Sequence, residues 1–165
     1  MPLQTETYDL DEEVERLEEE CRETAEQLAP LDDDNPAVPR LQRRGNQLQS
    51  QLDGIRWARS EWDADAVTLG GLTGGEYGHV EDELPAAGGS GAQRVYYVAK
   101  GTVDAPYLDD DMDFDARIAA ASGLPIGYLR WAEARIDDLS SVTEGNEPRF
   151  GDWLADARKE QSTDE

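Results

Sequence analysis

Apolar positions recur along the first third of this chain at helical spacing. Leu10, Val14, Leu17, Cys21, Thr24 and Leu28 step by four and three in alternation, with Glu and Arg filling the flanks. That is the a/d pattern of a heptad helix. Ala29-Pro30-Leu31 and the run Asp32-Asp33-Asp34-Asn35-Pro36 stop it and turn the chain. A second helix begins around Pro36, and Val38, Leu41, Leu48, Leu52, Ile55 and Trp62 keep the same rhythm, interrupted at Gly45 and Arg59. Residues 1–62 therefore predict an antiparallel, coiled-coil-like helical hairpin. Its interface comprises Leu10, Val14, Leu17 and Leu28 on one helix, and Val38, Leu41, Leu48, Leu52 and Ile55 on the other. Such a hairpin is either simply packed on itself or a docking and oligomerising arm. Met1 to Asp9 reads as a loose leader.

The pattern then changes. Val67 and Leu69 alternate with Thr68 and Gly70, the period of a half-buried strand, and Gly70-Gly71 permits a tight turn. Thr73 with Glu76 forms a T-x-x-E capping box, after which Tyr77, Val80 and Leu84 share one helical face. Pro85 to Ala92 has the composition of a flexible linker. Arg94 to Lys100 fits a strand by its β-branched and aromatic content and a helix by the spacing of Val95, Val98 and Ala99; helix is preferred, with Gly101 as its C-cap and no partner strand in view. Thr102 to Asp113 predicts an extended acidic loop. Phe114, Ile118 and Ala121 start a helix closed by Gly123. The next helix buries Ile126, Leu129, Ile136 and Leu139, with Tyr128 and Trp131 on its shoulder. The fold class is mainly α: the hairpin, then a small helical domain over residues 63–145 with a short strand at its start. Residues 146–165 form an acidic tail with a short amphipathic turn at Phe150, Trp153 and Leu154, disordered from Lys159 on.

Charge changes the picture more than motifs do. The formal net charge is -23 over 165 residues, and of 15 basic residues only Lys100 and Lys159 are lysine. Acid spread along the whole chain with little lysine suits cytoplasm near molar salt, where the screening length is only about 3 Å. The expected setting is the cytoplasm of a salt-in halophile, the chain being the host's own or that of a virus or provirus of a haloarchaeon. Nucleic acid is not an expected partner, because arginines are scattered among far more carboxylates. The local exception is Arg40, Arg43 and Arg44, expected to pair with the neighbouring Asp32, Asp33 and Asp34. No apolar run is long enough for a membrane span, and the single cysteine, Cys21, excludes an internal disulfide.

Catalytic chemistry finds little footing. His79 is the sole histidine, with no second nitrogen or thiolate at metal-ligand spacing, and is expected on the exposed side of its helix. Cys21 sits at a heptad a position, where a small hydrophobe belongs. Asp109 to Asp115 lacks the glycine and glutamate of a calcium loop and reads as a solvated stretch that caps the helix at Phe114. The glycines around Gly70 to Gly75 lack the lysine of a phosphate cradle. A carboxylate pair of Glu76 with Glu81 or Asp82 is the one residual enzyme candidate. No catalytic residue, metal site or cofactor is expected.

The succession VTLGGLTGGEYGHVEDEL, RVYYVAKGTVDAPYLDDDMD and IAAASGLPIGYLRWAEARIDDLSSV resembles the tail assembly chaperones of tailed viruses. The shared signatures are a strand with an L-T-x-x-E turn, here Leu72, Thr73 and Glu76, and a G-x-V-x-x-P segment, here Gly101, Val103 and Pro106. The resemblance covers about residues 66–145, and the N-terminal hairpin lies outside the family's pattern. It implies a helical, non-enzymatic protein that coats the tape measure protein, or binds the tail tube protein, until the tube polymerises. Such a protein is then absent from the finished particle. The candidate partner-binding residues are Tyr77, Tyr96, Tyr97, Tyr128 and Trp131, since aromatic side chains give contact area at low entropic cost. The alternative is that most of them fill a small core. A structural virion component such as a head–tail adaptor remains open, as does a cellular halophile adaptor oligomerising through the hairpin.

Overall fold

A computed structural model describes residues 3–141 and 148–163. Within them the chain is mainly helical, with seven helices and one three-stranded antiparallel sheet. In order these are β1 (Thr5–Asp9), α1 (Leu10–Leu28), α2 (Val38–Glu61), β2 (Ala66–Gly70), α3 (Gly74–Glu83), α4 (Ser90–Gly101), β3 (Thr102–Asp104), α5 (Phe114–Ser122), α6 (Ile126–Ser140) and α7 (Phe150–Thr163).

The hairpin helices form where the heptads place them. Leu10, Val14, Leu17, Leu41, Leu48, Leu52 and Ile55 are buried, while Leu28 and Val38 near the turn are half-buried. Asp9 caps α1 by accepting from the backbone N–H of Glu12 at 2.9 Å, and Pro39 occupies the first turn of α2, where no N–H is needed. Arg56 to Glu18 at 3.1 Å and Arg59 to Asp11 at 3.2 Å tie the helices along their exposed rim. These pairs are exposed and contribute little to stability.

The leader is not loose. Thr5 to Asp9 pairs with β2 from Thr5 opposite Gly70 to Asp9 opposite Ala66, with Tyr8 buried opposite Val67. The Thr7 and Thr68 hydroxyls meet across the strands at 2.8 Å. On the other side of β2, Thr102 to Asp104 forms β3 instead of the start of a loop, while residues 94–100 are helical as expected. The predicted linker is shorter than expected: Gly88 turns back onto Pro85 at 2.8 Å and α4 starts at Ser90. That helix runs through Gly101 and ends at Thr102, which replaces Gly101 as the cap. Thr73 caps α3, its hydroxyl accepting from the Glu76 N–H at 3.2 Å, and Asp113 caps α5. Residues 159–163 are helical, in place of the expected disorder; Asp164 and Glu165 lie outside the described residues, as does the stretch 142–147.

The centre of the molecule is α6. Tyr128, Trp131, Ala132 and Ile136 are fully buried and Leu129 and Leu139 nearly so, whereas Ile126 is half exposed. The two aromatics expected on the shoulder are thus the buried face, and they recur at i, i+3, i+4, i+8 and i+11 with Ala132, Ile136 and Leu139. One apolar cluster runs from Tyr8 and Val14 through Leu48 and Val67 to Val98 and Trp131. The hairpin shares this core, so residue 62 marks no boundary in the packing and the hairpin is no separate arm.

Glycines let α6 sit this deep. A Cβ on Gly54 of α2 would lie within 3 Å of the backbone of Gly127 and Tyr128, and one on Gly127 would meet the Ser50 carbonyl. The two helices cross backbone to backbone. Gly71, next to β2, lies equally close to the Leu139 carbonyl, and Gly101 lies under the Ile136 side chain. The role of Gly71 is close approach rather than turn freedom alone.

Candidate functional site

The five aromatic candidates divide sharply. Trp131 is completely buried, stacks edge-on with Tyr8 at 5.6 Å, and donates its indole N–H to Glu13 Oε2 at 2.8 Å. Tyr128 is also completely buried, among Trp62, Tyr107 and Trp131. Tyr97 is buried and donates its hydroxyl to Asp137 at 2.7 Å. These three are core, so they offer nothing to a partner in the folded chain. Tyr96 is half-buried against Phe114. Tyr77 remains exposed, its ring edge-on to Tyr97.

Burial of these rings has a pH signature. It pushes the Tyr107 phenol up to about 12 and that of Tyr128 well above the ordinary value of 10.0. The unfolded chain releases these protons near pH 10 while the folded chain holds them, so the folded state binds more protons between the two values. The stabilisation is complete below pH 10 and drains away as pH rises towards 12 and beyond. Each protected phenol contributes a slope of at most about 1.4 kcal/mol per pH unit. Titration should show part of the phenolate absorbance appearing only together with loss of helical circular dichroism. Full ionisation near pH 10 with the helices intact would contradict this core.

The remaining chemistry-bearing residues are dispersed. His79 is exposed as expected, 3.0 Å from Lys100 Nζ, and both lie against the Phe114 ring. Cys21 is half-buried against the core, and burial raises its thiol. Asp113 serves as the cap of α5. Among the described residues no three His, Cys, Asp or Glu side chains converge as metal ligands would. No helix among them is long and apolar enough to cross a membrane.

Two surface features stand out instead. On α7, Phe150 is 75% exposed, Trp153 60% and Leu154 38%, and no residue of that helix is buried. Spacings of three and four put all three on one face. Asp152 secures the helix start by accepting from the Arg149 N–H at 2.9 Å. The second feature is a polar groove on α2. Arg40, Arg43, Arg44 and Gln47 line one part, and Gln47 continues into a second part with Gln51, Arg94, Arg130 and Asp137. Among the described residues Arg40, Arg43 and Arg44 make no ion pair, contrary to the expected pairing with Asp32 to Asp34; Arg43 donates to the Pro39 carbonyl.

No family model, curated protein or solved structure matches the chain. The surface itself is what speaks to function. The periodicity of Phe150, Trp153 and Leu154 was visible in the sequence, but their lack of cover depends on where the rest of the chain packs. For the arginines the signal was weaker still, since nearby aspartates in sequence need not be nearby in space.

Proposed function

We propose that the chain is a non-enzymatic protein-binding module, and within that class a viral tail assembly chaperone acting in the host cytoplasm. The observation that carries protein binding is the uncovered face of Phe150, Trp153 and Leu154 on α7. Three large apolar side chains at helical spacing on an otherwise polar helix suit insertion into a partner's groove, or capture of a partner's helix. The resemblance over residues 66–145 supports the narrower reading, with a tape measure or tail tube protein as the partner. Contact then runs through α7 and Tyr77 rather than through Tyr97, Tyr128 and Trp131. A structural virion component and a cellular adaptor are the competing roles.

Co-expression with tail proteins in high salt tests this. A soluble complex with a tape measure protein is expected, together with absence from purified particles. Replacing Phe150 and Trp153 by alanine should abolish capture while leaving the unfolding midpoint nearly unchanged, within about 0.5 kcal/mol, because both are exposed. Retention in intact particles would favour the structural role, and undiminished capture by the double variant would remove α7 as the docking face.

A further inference from the structure

We infer that the groove along α2 is a docking site for an acidic polypeptide segment. This deepens the protein-binding reading above but uses a different surface from α7. Arg40, Arg43, Arg44, Gln47 and Gln51 fall at i, i+3, i+4, i+7 and i+11, a single stripe on the face of α2 that the core leaves free. The stripe is about 16 Å long, the span of about five extended residues. Arg130 of α6 extends it at the far end, held in place by donation to Ser50 Oγ at 2.9 Å.

The stripe gathers three arginines without an ion pair among the described residues, whereas Arg117, Arg149 and Arg158, likewise without one, stand singly elsewhere. In a chain of net charge -23, most arginines of α1, α2, α4 and α6 outside it lie against carboxylates. Among the described residues, within the groove only Arg94 does so, on Glu133. Arg40 lies in the first turn of a helix that carries no acidic residue there, so the helix dipole adds to its positive potential, and Arg43 and Arg44 follow one turn later. Three guanidinium groups without a carboxylate partner among the described residues, Arg43 using only its Nε on the Pro39 carbonyl, call for carboxylates or phosphates.

The rest of the groove favours carboxylates on a peptide. Gln47 and Gln51 present amides that both donate and accept, which matches a main chain. Glu133 is paired with Arg94 and Asp137 accepts from Tyr97, so the carboxylates of a short segment sit over Arg40, Arg43 and Arg44, clear of these two, whereas a continuous phosphate backbone would have to cross them. The occupant is therefore an acidic segment of a partner protein.

Fluorescence anisotropy on the full chain tests this from about 1 M down to about 0.15 M salt, over which the screening length grows from about 3 Å to about 8 Å, with circular dichroism confirming the fold at each point. The probes are a labelled Glu/Gly peptide, its Gln/Gly counterpart and a thymidine oligonucleotide of equal charge. The Glu/Gly peptide should bind saturably and the Gln/Gly peptide should not. The combined substitution Arg40→Gln, Arg43→Gln and Arg44→Gln should weaken binding at least about tenfold, with unchanged helical circular dichroism. Arg22→Gln, on the exposed face of α1, should have no effect. Tighter binding of the oligonucleotide, no saturable peptide binding, or an unaffected triple variant would each overturn the inference. Capture of a tail protein that persists in the triple variant would leave the α7 reading standing alone. Its loss only on α7 substitution, with peptide binding intact, would separate the two surfaces.

Discussion

Gly54→Ala is expected to destabilise the protein by about 3 kcal/mol or more, far beyond an ordinary surface change. The added methyl has no flexible side chain to displace; it meets the backbone of Gly127 and Tyr128. Relief requires α2 and α6 to move apart, and that separation loosens Leu52, Ile55, Tyr128 and Trp131 together. Gly127→Ala meets the Ser50 carbonyl at the same crossing and should cost a similar amount. The double substitution should cost less than the sum, since one separation of the helices relieves both clashes. Urea unfolding followed by circular dichroism measures all three. Gly78→Ala is the matched control: an added Cβ meets nothing within 4 Å, and better helix propensity should stabilise by about 0.5–1 kcal/mol. A Gly54→Ala variant with the parental midpoint would mean the helices do not cross this closely.

The second large effect is expected at Glu13. Its side chain is buried, accepts from Trp131 Nε1 at 2.8 Å and pairs with Arg16 at 2.7 Å. Glu13→Ala leaves a fully buried indole N–H without an acceptor and takes from Arg16 one of its two carboxylates, Glu20 remaining at 3.0 Å. Together these should cost about 2–4 kcal/mol. Glu13→Gln retains an acceptor oxygen of the same reach and should recover most of the loss. The Trp131 indole proton resonance gives an independent readout, moving strongly in the alanine variant and slightly in the glutamine one. Equal losses for the two substitutions would place the contribution in the ion pair with Arg16 rather than in the hydrogen bond to Trp131.

Local signals were legible and distant ones were not. The heptads of the hairpin, the Thr73 cap, the strand at Val67 and Leu69, and the helix that follows Asp113 depend on neighbours within a few residues, and each forms where its pattern lies. β1 escaped because TETYD is too short to show a period, and its partner lies about sixty residues away. β3 escaped because three residues carry no pattern at all. The aromatic face of α6 was outweighed by the aliphatic spacing of Ile126, Leu129, Ile136 and Leu139, although Tyr128 and Trp131 bury more area. Gly54 and Gly127 are silent in sequence, since a glycine inside a helical pattern looks like a weakness until the facing backbone is placed. The same holds for the surfaces. Aromatic type marked candidates, yet exposure decides which are available: Tyr128 and Trp131 are buried, while Phe150 and Trp153 are exposed, which is why the proposed docking face lies on α7.

The central place of α6 also bears on how the chain is made. Synthesis runs from the N-terminus, so the hairpin leaves the ribosome well before Trp131 exists. Glu13 and Trp131 are 118 positions apart. From the end of α2 to Trp131 the ribosome adds 70 residues, the interval from Glu61 to Trp131, which takes about 4–14 s at roughly 5–20 residues per second. For that interval the side of α2 around Gly54 waits without the backbone of Gly127 and Tyr128 that covers it in the finished fold.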